Sequence, residues 1–392
     1  MPGHRHPSIA ATLLALLAAC APEGPREPPS DAESAEVAWD PADTLTDAEL
    51  EAGRMDDSWR DAVKLGRPPA PRVFPLDTIV IPAEWLEMGR RRGAGEVLRI
   101  QTLLDRARFF PGVLDGRWGK NTEKAVWWFQ VSQGLEPTGA VDSLTFERLR
   151  VAAGEPEETV KRHVLDEEDV AGPFVPIPAS VYRQARLDCL CYESMAEKLS
   201  ERFHTSIEVL EDLNPGVELN ALAAGDAIMV PAVDGSPAPG LPVERVVVSG
   251  LGSYVHALDA QGRIVYHFPT TLGSRYDPSP LGELSIVGVH FDPWFHYQPR
   301  LLAGVDDAQP DAHLPPGPNN LVGNVWIKLS EPHYGIHGTG DPATIGYASS
   351  SGCVRLTNWN AVLLAGEVGP GTAVEFRDTR PVAVEGGPSG PE

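Results

Sequence analysis

Apolar residues along the chain follow two different periods, which predict where helices and strands lie. Between residues 94 and 152 they recur every three or four positions, the spacing of amphipathic helices. Three helices separated by glycine-containing turns are predicted there, and Thr122 is placed to cap the second. From Arg245 onward, short runs of β-branched and aromatic residues alternate with Gly and Asp turns, which predicts a β-rich domain.

The remaining segments divide the chain further. Residues 153–180 are rich in acids and prolines and are predicted to be a linker. Residues 181–233 predict two short helices, a turn and a strand, which together form a small α/β module. A second linker is predicted over 234–242, the β-rich domain over 243–378, and a disordered tail over 379–392. The predicted fold class is therefore multidomain α+β.

Composition narrows the possible partners. The 392 residues carry 32 Lys and Arg against 55 Asp and Glu, so the formal net charge is −23. A surface this acidic repels phosphate backbones, which excludes a general nucleic-acid partner. Four cysteines are too few for a disulfide scaffold. Cys189 and Cys191 are separated by one residue, a spacing at which a mutual disulfide would be strained, and the sequence leaves their redox state open.

The first residues predict export. A short basic start is followed by an apolar run that is too short to span a bilayer as a mature helix, and the signal peptide is predicted over 1–19. Leu17-Ala18-Ala19-Cys20 resembles the lipobox of bacterial lipoproteins, which implies that Cys20 is acylated and anchors the protein in a membrane. By the same resemblance, Ala21 favours the outer membrane and a periplasmic location. The alternative is an ordinary cleaved signal.

A tether is predicted between this anchor and the first helix. Residues 21–60 contain 12 acidic and 3 basic side chains and several prolines, with very few aliphatic residues. Such a composition cannot bury enough apolar surface to offset the entropy of the chain. Residues 20–93 are therefore predicted to be a disordered tether.

The three-helix unit over 94–152 has regularly spaced turn and core residues. This pattern resembles the peptidoglycan-binding domain type 1, which implies that peptidoglycan is a partner. Trp127, Phe129 and Leu103 are predicted to be core residues. The residues that carry the resemblance are Leu103, Asp115-Gly116, Trp118-Gly119, Thr122, Ala125-Val126, Phe129-Gln130, Gly134-Leu135, Thr138-Gly139 and Thr145.

The module over 181–233 has a turn at Leu213-Asn214-Pro215 and ends in a Gly-Asp-x-Ile-x-Val-Pro run at Pro231. The order of its elements and these two signatures resemble a LysM module, which implies binding to N-acetylglucosamine polymers. The usual opening Gly-Asp-Thr is replaced by Cys191-Tyr192-Glu193-Ser194, so the resemblance supports the fold more than sugar binding.

The residues that suggest chemistry lie near the end of the β-rich domain. His337 and Cys353 are 16 residues apart, and Gly352 lets the backbone approach a ligand closely. An imidazole can take the thiol proton, after which the thiolate attacks a carbonyl. The amides of Gly352 and Cys353 are candidates to hold the oxyanion that develops. Without an obvious Asp in the motif, the carbonyl of Gly338 is the candidate to orient the imidazole.

His337-Gly338-Thr339, Ile345-Gly346 and the Ser-Ser-Gly-Cys-Val-Arg-Leu run that ends at Leu356 resemble the signature of the YkuD-type L,D-transpeptidase family. The resemblance covers residues 243–378. It implies that Cys353 is the nucleophile, His337 the proton acceptor and donor, and Gly338 the residue that orients it. The substrate-binding residues that it implies are Arg355, Thr339, Ser350 and Ser351. Many members have His where this chain has Ser351.

The implied function is a cell-wall L,D-transpeptidase that cross-links peptidoglycan stems through a cysteine acyl-enzyme. No metal and no organic cofactor is implied, because the thiolate supplies the nucleophile. The alternatives are an L,D-carboxypeptidase, an enzyme that attaches proteins to peptidoglycan, and a non-catalytic peptidoglycan-binding lipoprotein. The aromatic run Phe291–Tyr297 is either one wall of a substrate groove or part of the core.

Overall fold

The computed structural model describes residues 93–234, 242–250, 252–273, 279–299, 308–350 and 352–377. The predicted signal peptide, Cys20, nearly all of the tether, the tail and Ser351 lie outside the described residues. In the part that is described, no helix is both long enough and apolar enough to cross a membrane.

Three helices form the first module, in agreement with the apolar period. They are α1 (Ala94–Arg106), α2 (Lys120–Ser132) and α3 (Ser143–Ala152). Their core contains Leu103, Trp127 and Phe129, all of which are buried as predicted. Asp142 caps α3 by accepting a hydrogen bond from the Thr145 amide at 2.7 Å.

The predicted cap of α2 is wrong. The helix begins directly after Gly119, whose backbone is extended and supplies no side-chain cap. Thr122 therefore lies inside the first turn, where its hydroxyl accepts a hydrogen bond from Gln101 Nε2 at 3.2 Å. This bond joins α2 to α1, so the threonine contributes to packing between helices rather than to the start of its own helix.

The middle module is a two-stranded sheet with helices between its strands. Strand β1 (Val160–Val164) pairs antiparallel with β2 (Ala227–Pro231), which is the strand predicted near the end of the module. Strand β1 lies inside residues 153–180, for which the sequence predicts a linker. The helices between the strands are α4 (Glu167–Val170), α5 (Val181–Gln184), α6 (Met195–Arg202) and α7 (Ile207–Leu213), followed by a 3₁₀ turn at Leu219–Ala221. A disulfide joins Cys189 to Cys191.

The C-terminal domain is built on an eight-stranded sheet in the order β11-β10-β9-β6-β12-β3-β4-β5. Its parallel pairs are β10 with β11 and β12 with β3. A separate hairpin joins β7 (Phe295–Tyr297) to β8 (Ala312–Leu314). The strands of the large sheet are β3 (Arg245–Ser249), β4 (Tyr254–Leu258), β5 (Ile264–Pro269), β6 (Gly282–Phe291), β9 (Val325–Leu329), β10 (Gly335–His337), β11 (Val354–Arg355) and β12 (Ala373–Arg377).

One helix, α8 (Asn358–Glu367), follows β11 directly. Thr357 caps it by accepting a hydrogen bond from the Asn360 amide at 3.4 Å. Leu364 and Ala365 of this helix belong to the same buried cluster as Val246, Ile327 and other apolar residues of the sheet. The helix therefore covers one face of the sheet and closes the core.

The helical module and the sheet share a buried boundary. Trp128 of α2 is fully buried, and its indole packs edge-on against Tyr254 and His256 of β4 at centroid distances of 5.1 and 4.6 Å. The amide of Phe110 donates to the carbonyl of His267 at 2.9 Å, and the His267 amide donates to the carbonyl of Arg108 at 3.0 Å. The chain after α1 is thus hydrogen-bonded to strand β5.

A lysine lies at this boundary. Lys124 of α2 is buried, and its Nζ donates to the carbonyl of Gly252 at 3.1 Å. Burial lowers the pKa of Lys124 to about 7, with the charge of Lys120 acting in the same direction and that of Glu123 opposing it. An unfolded lysine holds its proton up to a pKa of about 10.4. Between these two values the unfolded chain binds more protons than the folded protein, so stability rises with pH.

We expect the free energy of unfolding to increase between pH 7 and pH 9, by at most about 1.4 kcal/mol per pH unit from this one group. Replacing Lys124 with methionine is expected to remove most of that increase, because the variant has no proton to release. Denaturant unfolding at several pH values measures it. The control Lys120→Met, one turn away on α2, is expected to keep most of the slope. An unchanged slope in Lys124→Met would contradict the assignment.

Candidate active site

Parallel pairing of β10 with β11 places the two predicted reactive residues on adjacent segments of the sheet. The register aligns Ile336 with Val354 and His337 with Arg355. Because side chains alternate between the faces of a strand, Ile336 and Val354 point to one face, where both belong to the main core. His337 and Arg355 point to the opposite face, and Cys353, two residues before Arg355, shares it.

His337 is buried and held in one orientation. Its Nδ1 lies 2.6 Å from the carbonyl oxygen of Gly338. A carbonyl oxygen only accepts, so Nδ1 carries the proton and Nε2 of the neutral ring is left as an acceptor. The ring also stacks on Trp326 of β9 at 5.5 Å between centroids.

The environment of His337 favours its neutral form. Burial is the main cause that lowers its pKa to about 3, with the positive charge of Arg355 acting in the same direction and the bond to Gly338 opposing both. The imidazole is therefore unprotonated near pH 7 and able to accept a proton. The sequence prediction placed the orienting contact at Gly338, where the structure has it.

Cys353 is also buried, with 2% of its surface exposed. Its Sγ donates to the carbonyl oxygen of His333 at 3.5 Å. The preceding Gly352 has a φ of +97°, and a Cβ there would lie 2.7 Å from the ring of Tyr334. Only glycine fits this turn without strain, which explains its place before the cysteine.

Two serines support the turn that carries Cys353. Ser350 is 1% exposed, and its hydroxyl donates to the carbonyl oxygen of Cys353 at 2.6 Å. Ser279 donates to the carbonyl oxygen of Gly352 at 2.8 Å and accepts from the Gly273 amide at 3.0 Å. The sequence implied a substrate contact for Ser350, but in this structure its hydroxyl faces the turn. Ser279 was not among the site residues predicted from the sequence, although its Ser-Pro-Leu-Gly turn resembles the Thr-Pro-x-Gly turn of the YkuD-type family with Ser in place of Thr.

Arg355 and Thr339 line one cavity of about 300 Å³. Its walls come from both the sheet domain and the middle module, since Gln184 and Glu193 also line it. The backbone of Arg355 is paired with Thr271 through two hydrogen bonds of 2.9 and 3.2 Å. Of the four residues predicted to bind substrate, Arg355 and Thr339 thus line this cavity, the Ser350 hydroxyl bonds the Cys353 turn, and Ser351 is outside the described residues.

The aromatic run predicted as groove or core is partly buried and partly exposed. Phe295 and Tyr297 are buried in a cluster that also contains Trp326 and Cys353. Phe291 and Trp294 are exposed. Within the described ranges, no three His, Cys, Asp or Glu side chains are grouped closely enough to hold a metal ion.

Comparison with known proteins identifies the family. The family model described as "L,D-transpeptidase catalytic domain" matches residues 244–376. The protein named "Putative L,D-transpeptidase YkuD" of Bacillus licheniformis is 32% identical over 180 residues, which are 46% of this chain and 92% of that protein. The chain belongs to the YkuD L,D-transpeptidase family. The protein of the same name from Bacillus subtilis is 31% identical over 172 residues, covering 44% of this chain and 87% of that protein.

The family match includes both residues predicted to be reactive, His337 and Cys353. A second model, "Putative peptidoglycan binding domain", matches residues 93–149, which contain α1, α2 and most of α3. A solved L,D-transpeptidase structure from Xylanimonas cellulosilytica is 17% identical with a TM-score of 0.31, and the alignment covers 79% of this chain and 100% of that one. The two family models confirm the L,D-transpeptidase resemblance and the resemblance of residues 94–152 to a peptidoglycan-binding domain.

Gly338 of this L,D-transpeptidase domain has no room for a side chain. A Cβ at Gly338 would lie 2.2 Å from Oδ1 of Asn358, which is fully buried at the start of α8. The carbonyl that orients His337 therefore lies on a backbone segment that packs directly against an asparagine amide. Asn358 was not selected from the sequence, because its contact depends on how α8 packs on β10.

We expect Gly338→Ala to destabilise the protein by about 1–3 kcal/mol through overpacking. The displaced carbonyl is also expected to weaken the bond to His337. Denaturant unfolding measures the first effect. The control Gly366→Ala, in helix α8 where no atom lies within 4 Å of the added Cβ, is expected to be neutral or slightly stabilising. Equal stability of the two variants would contradict the packing described for Gly338.

Proposed function

We propose that the protein is an extracytoplasmic enzyme that cross-links peptidoglycan stem peptides by L,D-transpeptidation. The observation that carries the proposal is a neutral, buried His337, oriented by Gly338, on the same sheet face as Cys353. Membership of the L,D-transpeptidase family and the peptidoglycan-binding match support it.

In the proposed reaction, the Cys353 thiol gives its proton to Nε2 of His337 and attacks the carbonyl before the terminal D-residue of a tetrapeptide stem. The amides of Gly352 and Cys353 hold the oxyanion of the tetrahedral intermediate. The C–N bond breaks, the proton on His337 passes to the departing amine, and a thioester remains. An amine of a neighbouring stem then attacks the thioester and gives a proton to His337, a new amide bond forms, and the C–S bond breaks as that proton passes to the departing sulfur.

The present contacts of Cys353 fit its resting state. The thiol donates to the His333 carbonyl, so the sulfur holds its proton until that bond is exchanged for one to His337. A histidine of low pKa is a weak base in the resting enzyme. The negative charge that develops on the attacked oxygen and on sulfur raises the proton affinity of the imidazole during the reaction.

The other two modules are proposed to hold the enzyme on its polymer. Residues 94–152 form the proposed peptidoglycan-binding domain. The middle module is proposed to be LysM-like, and the pairing of β1 with β2 around the helices supports that comparison. We place its start at β1 rather than at residue 181. The catalytic domain is proposed to cover residues 243–378.

We expect imipenem to acylate the wild-type protein and leave one drug-sized adduct on Cys353, detected by intact-mass analysis and peptide mapping. Cys353→Ser is expected to carry no thioester adduct. His337→Gln is expected to slow acylation by about 10²- to 10⁴-fold, the usual contribution of a general base. With purified tetrapeptide stems, the wild type is expected to release the terminal D-residue and form a cross-linked dimer.

Three results would contradict the proposal. Absence of an adduct on folded wild-type protein with a reduced Cys353 would favour a non-catalytic wall-binding protein. Release of the D-residue without dimer formation would favour an L,D-carboxypeptidase. Retention of full cross-linking activity by Cys353→Ala would exclude the cysteine mechanism.

Export and anchoring are proposed from the first residues of the sequence. Residues 1–19 would be removed and Cys20 acylated, so that residues 20–93 link the outer membrane to the folded modules. We expect labelled palmitate to be incorporated into the wild type and not into Cys20→Ser. Because Cys20 is outside the predicted folded modules, Cys20→Ser is expected to react with imipenem as the wild type does. Equal labelling of both proteins would contradict the anchor.

A further inference from the structure

The middle module is docked on the loop that precedes strand β9. The amide of Leu190 donates to the carbonyl of Pro316 at 2.9 Å, and the amide of Asn319 donates to the carbonyl of Leu190 at 3.0 Å. A Cβ at Gly317, where φ is +144°, would lie 2.2 Å from the same Leu190 carbonyl. Backbone contact this close fixes the module against the L,D-transpeptidase domain.

Helix α6 directs one carboxylate across this contact. Glu201 Oε2 accepts a hydrogen bond from Asn358 Nδ2 at 2.9 Å. Its other oxygen, Oε1, accepts from the Tyr192 hydroxyl at 2.8 Å. Glu201 and Tyr192 belong to the middle module, whereas Asn358 is the first residue of α8 in the L,D-transpeptidase domain.

The amide of Asn358 connects this carboxylate to the histidine. Its Nδ2 donates to Glu201 and also to the carbonyl of Pro318 at 3.0 Å. Its Oδ1 is directed to the opposite side, against Gly323 and Gly338, where an added Cβ would lie 1.9 and 2.2 Å away. Gly338 in turn supplies the carbonyl that binds His337 Nδ1.

The carboxylate and the Pro318 carbonyl together determine which end of the amide faces Gly338, because both accept hydrogen bonds from Nδ2. An ionised carboxylate only accepts hydrogen bonds, so it favours the orientation that presents Nδ2 to Glu201 and Oδ1 to the glycines. A protonated carboxyl or a glutamine side chain can also donate, and it would accept either orientation of the amide. The turned amide would place an NH₂ group against the Gly338 backbone in place of Oδ1.

We propose that Glu201 of the middle module is a positioning residue for His337, acting through the amide of Asn358 on Gly338. The middle module is then a structural part of the active site in addition to its proposed role on the wall. This inference rests on the proposed function of Cys353 and His337, and it assigns to the module a contribution that no residue of the L,D-transpeptidase signature reveals.

The ionisation of Glu201 gives the proposal a measurable signature. Burial raises the pKa of Glu201 to about 7, the negative charge of Glu197 acts in the same direction, and hydrogen bonds from Asn358 and Tyr192 together with the charge of His204 oppose it. The carboxylate therefore forms as the pH rises through about 7. His204, Tyr192 and Glu197 are the titratable groups that act on it from the surrounding segments.

A separate contact keeps the module docked when Glu201 is changed. The ring of His204 stacks on Trp359 of α8 at 5.0 Å between centroids, with 9° between the planes. His204 Nδ1 also lies 2.9 Å from Asp105 Oδ2 of α1. Since these contacts do not involve Glu201, the conservative variant Glu201→Gln is expected to fold with its modules in place.

The experiment measures acylation of Cys353 by imipenem in the full chain, at several drug concentrations between pH 5.5 and pH 8.5. It separates the maximal acylation rate from the half-saturating concentration. The wild-type rate is expected to rise as Glu201 ionises. At pH 8, Glu201→Gln is expected to acylate about tenfold more slowly with the half-saturating concentration unchanged, and to lack the rise near pH 7.

Two further variants test the direction of the effect. Tyr192→Phe removes a hydrogen bond to the carboxylate, so the rise is expected to shift to higher pH while the rate at high pH stays near that of the wild type. Glu197→Gln is the matched control on the same helix. Glu197 Oε1 accepts a hydrogen bond from Nδ2 of Asn319 at 2.8 Å, whereas Glu201 accepts one from Asn358. The Glu197→Gln variant is therefore expected to keep the wild-type maximal rate.

Each outcome decides the proposal. A wild-type rate in Glu201→Gln would overturn it. A slower Glu201→Gln that keeps the wild-type pH profile would show a merely structural role and would also overturn it. If the wild type itself forms no adduct, the proposed function fails and the positioning role fails with it. If the wild type is acylated and Glu201→Gln is acylated at the same rate, only the positioning role fails.

Discussion

A two-residue parallel pairing between β10 and β11 is the constraint on which the candidate site depends. The pairing fixes His337 opposite Arg355 and turns Cys353 to the same face. A shift of one residue would exchange the buried Ile336 and Val354 with the polar side chains. The strand ladder is too short to resist such a shift alone. Helix α8 begins at Asn358, three residues after the last residue of β11. Its packing against the sheet adds the contacts that keep the register.

The two reactive groups of the candidate site are buried and neutral, although the protein as a whole is strongly acidic. Both the imidazole and the thiol are nearly inaccessible, and the imidazole carries no charge near neutral pH. Burying two neutral groups costs much less free energy than burying an ion pair. In the proposed reaction, charge appears mainly while bonds form and break. The amides of the Cys353 turn and the guanidinium of Arg355 lie near the atoms on which it develops.

Much of the architecture could be predicted from the sequence because period and turn residues act locally. The three helices, the helices α6 and α7, and strands β3 to β5 all follow from such patterns. Strand β1 could not be recognised, because Val160-Lys161-Arg162-His163-Val164 is half-buried and its central residues are charged or polar. Thr122 was misassigned because a helix-starting threonine and one that binds a neighbouring helix have the same local sequence. The roles of Ser279 and Asn358 depend on contacts between distant segments, which local patterns do not contain.

The bonds between the chain after α1 and His267 have a further consequence for the sheet. Strand β5 is the last strand on its side, and an edge strand offers unpaired amides and carbonyls to any other extended chain. Arg108 and Phe110 satisfy both backbone groups of His267, so the helical module covers part of that edge. The helical module thus leaves less of this edge open to pairing with another extended chain, and the two domains are joined by more than a linker.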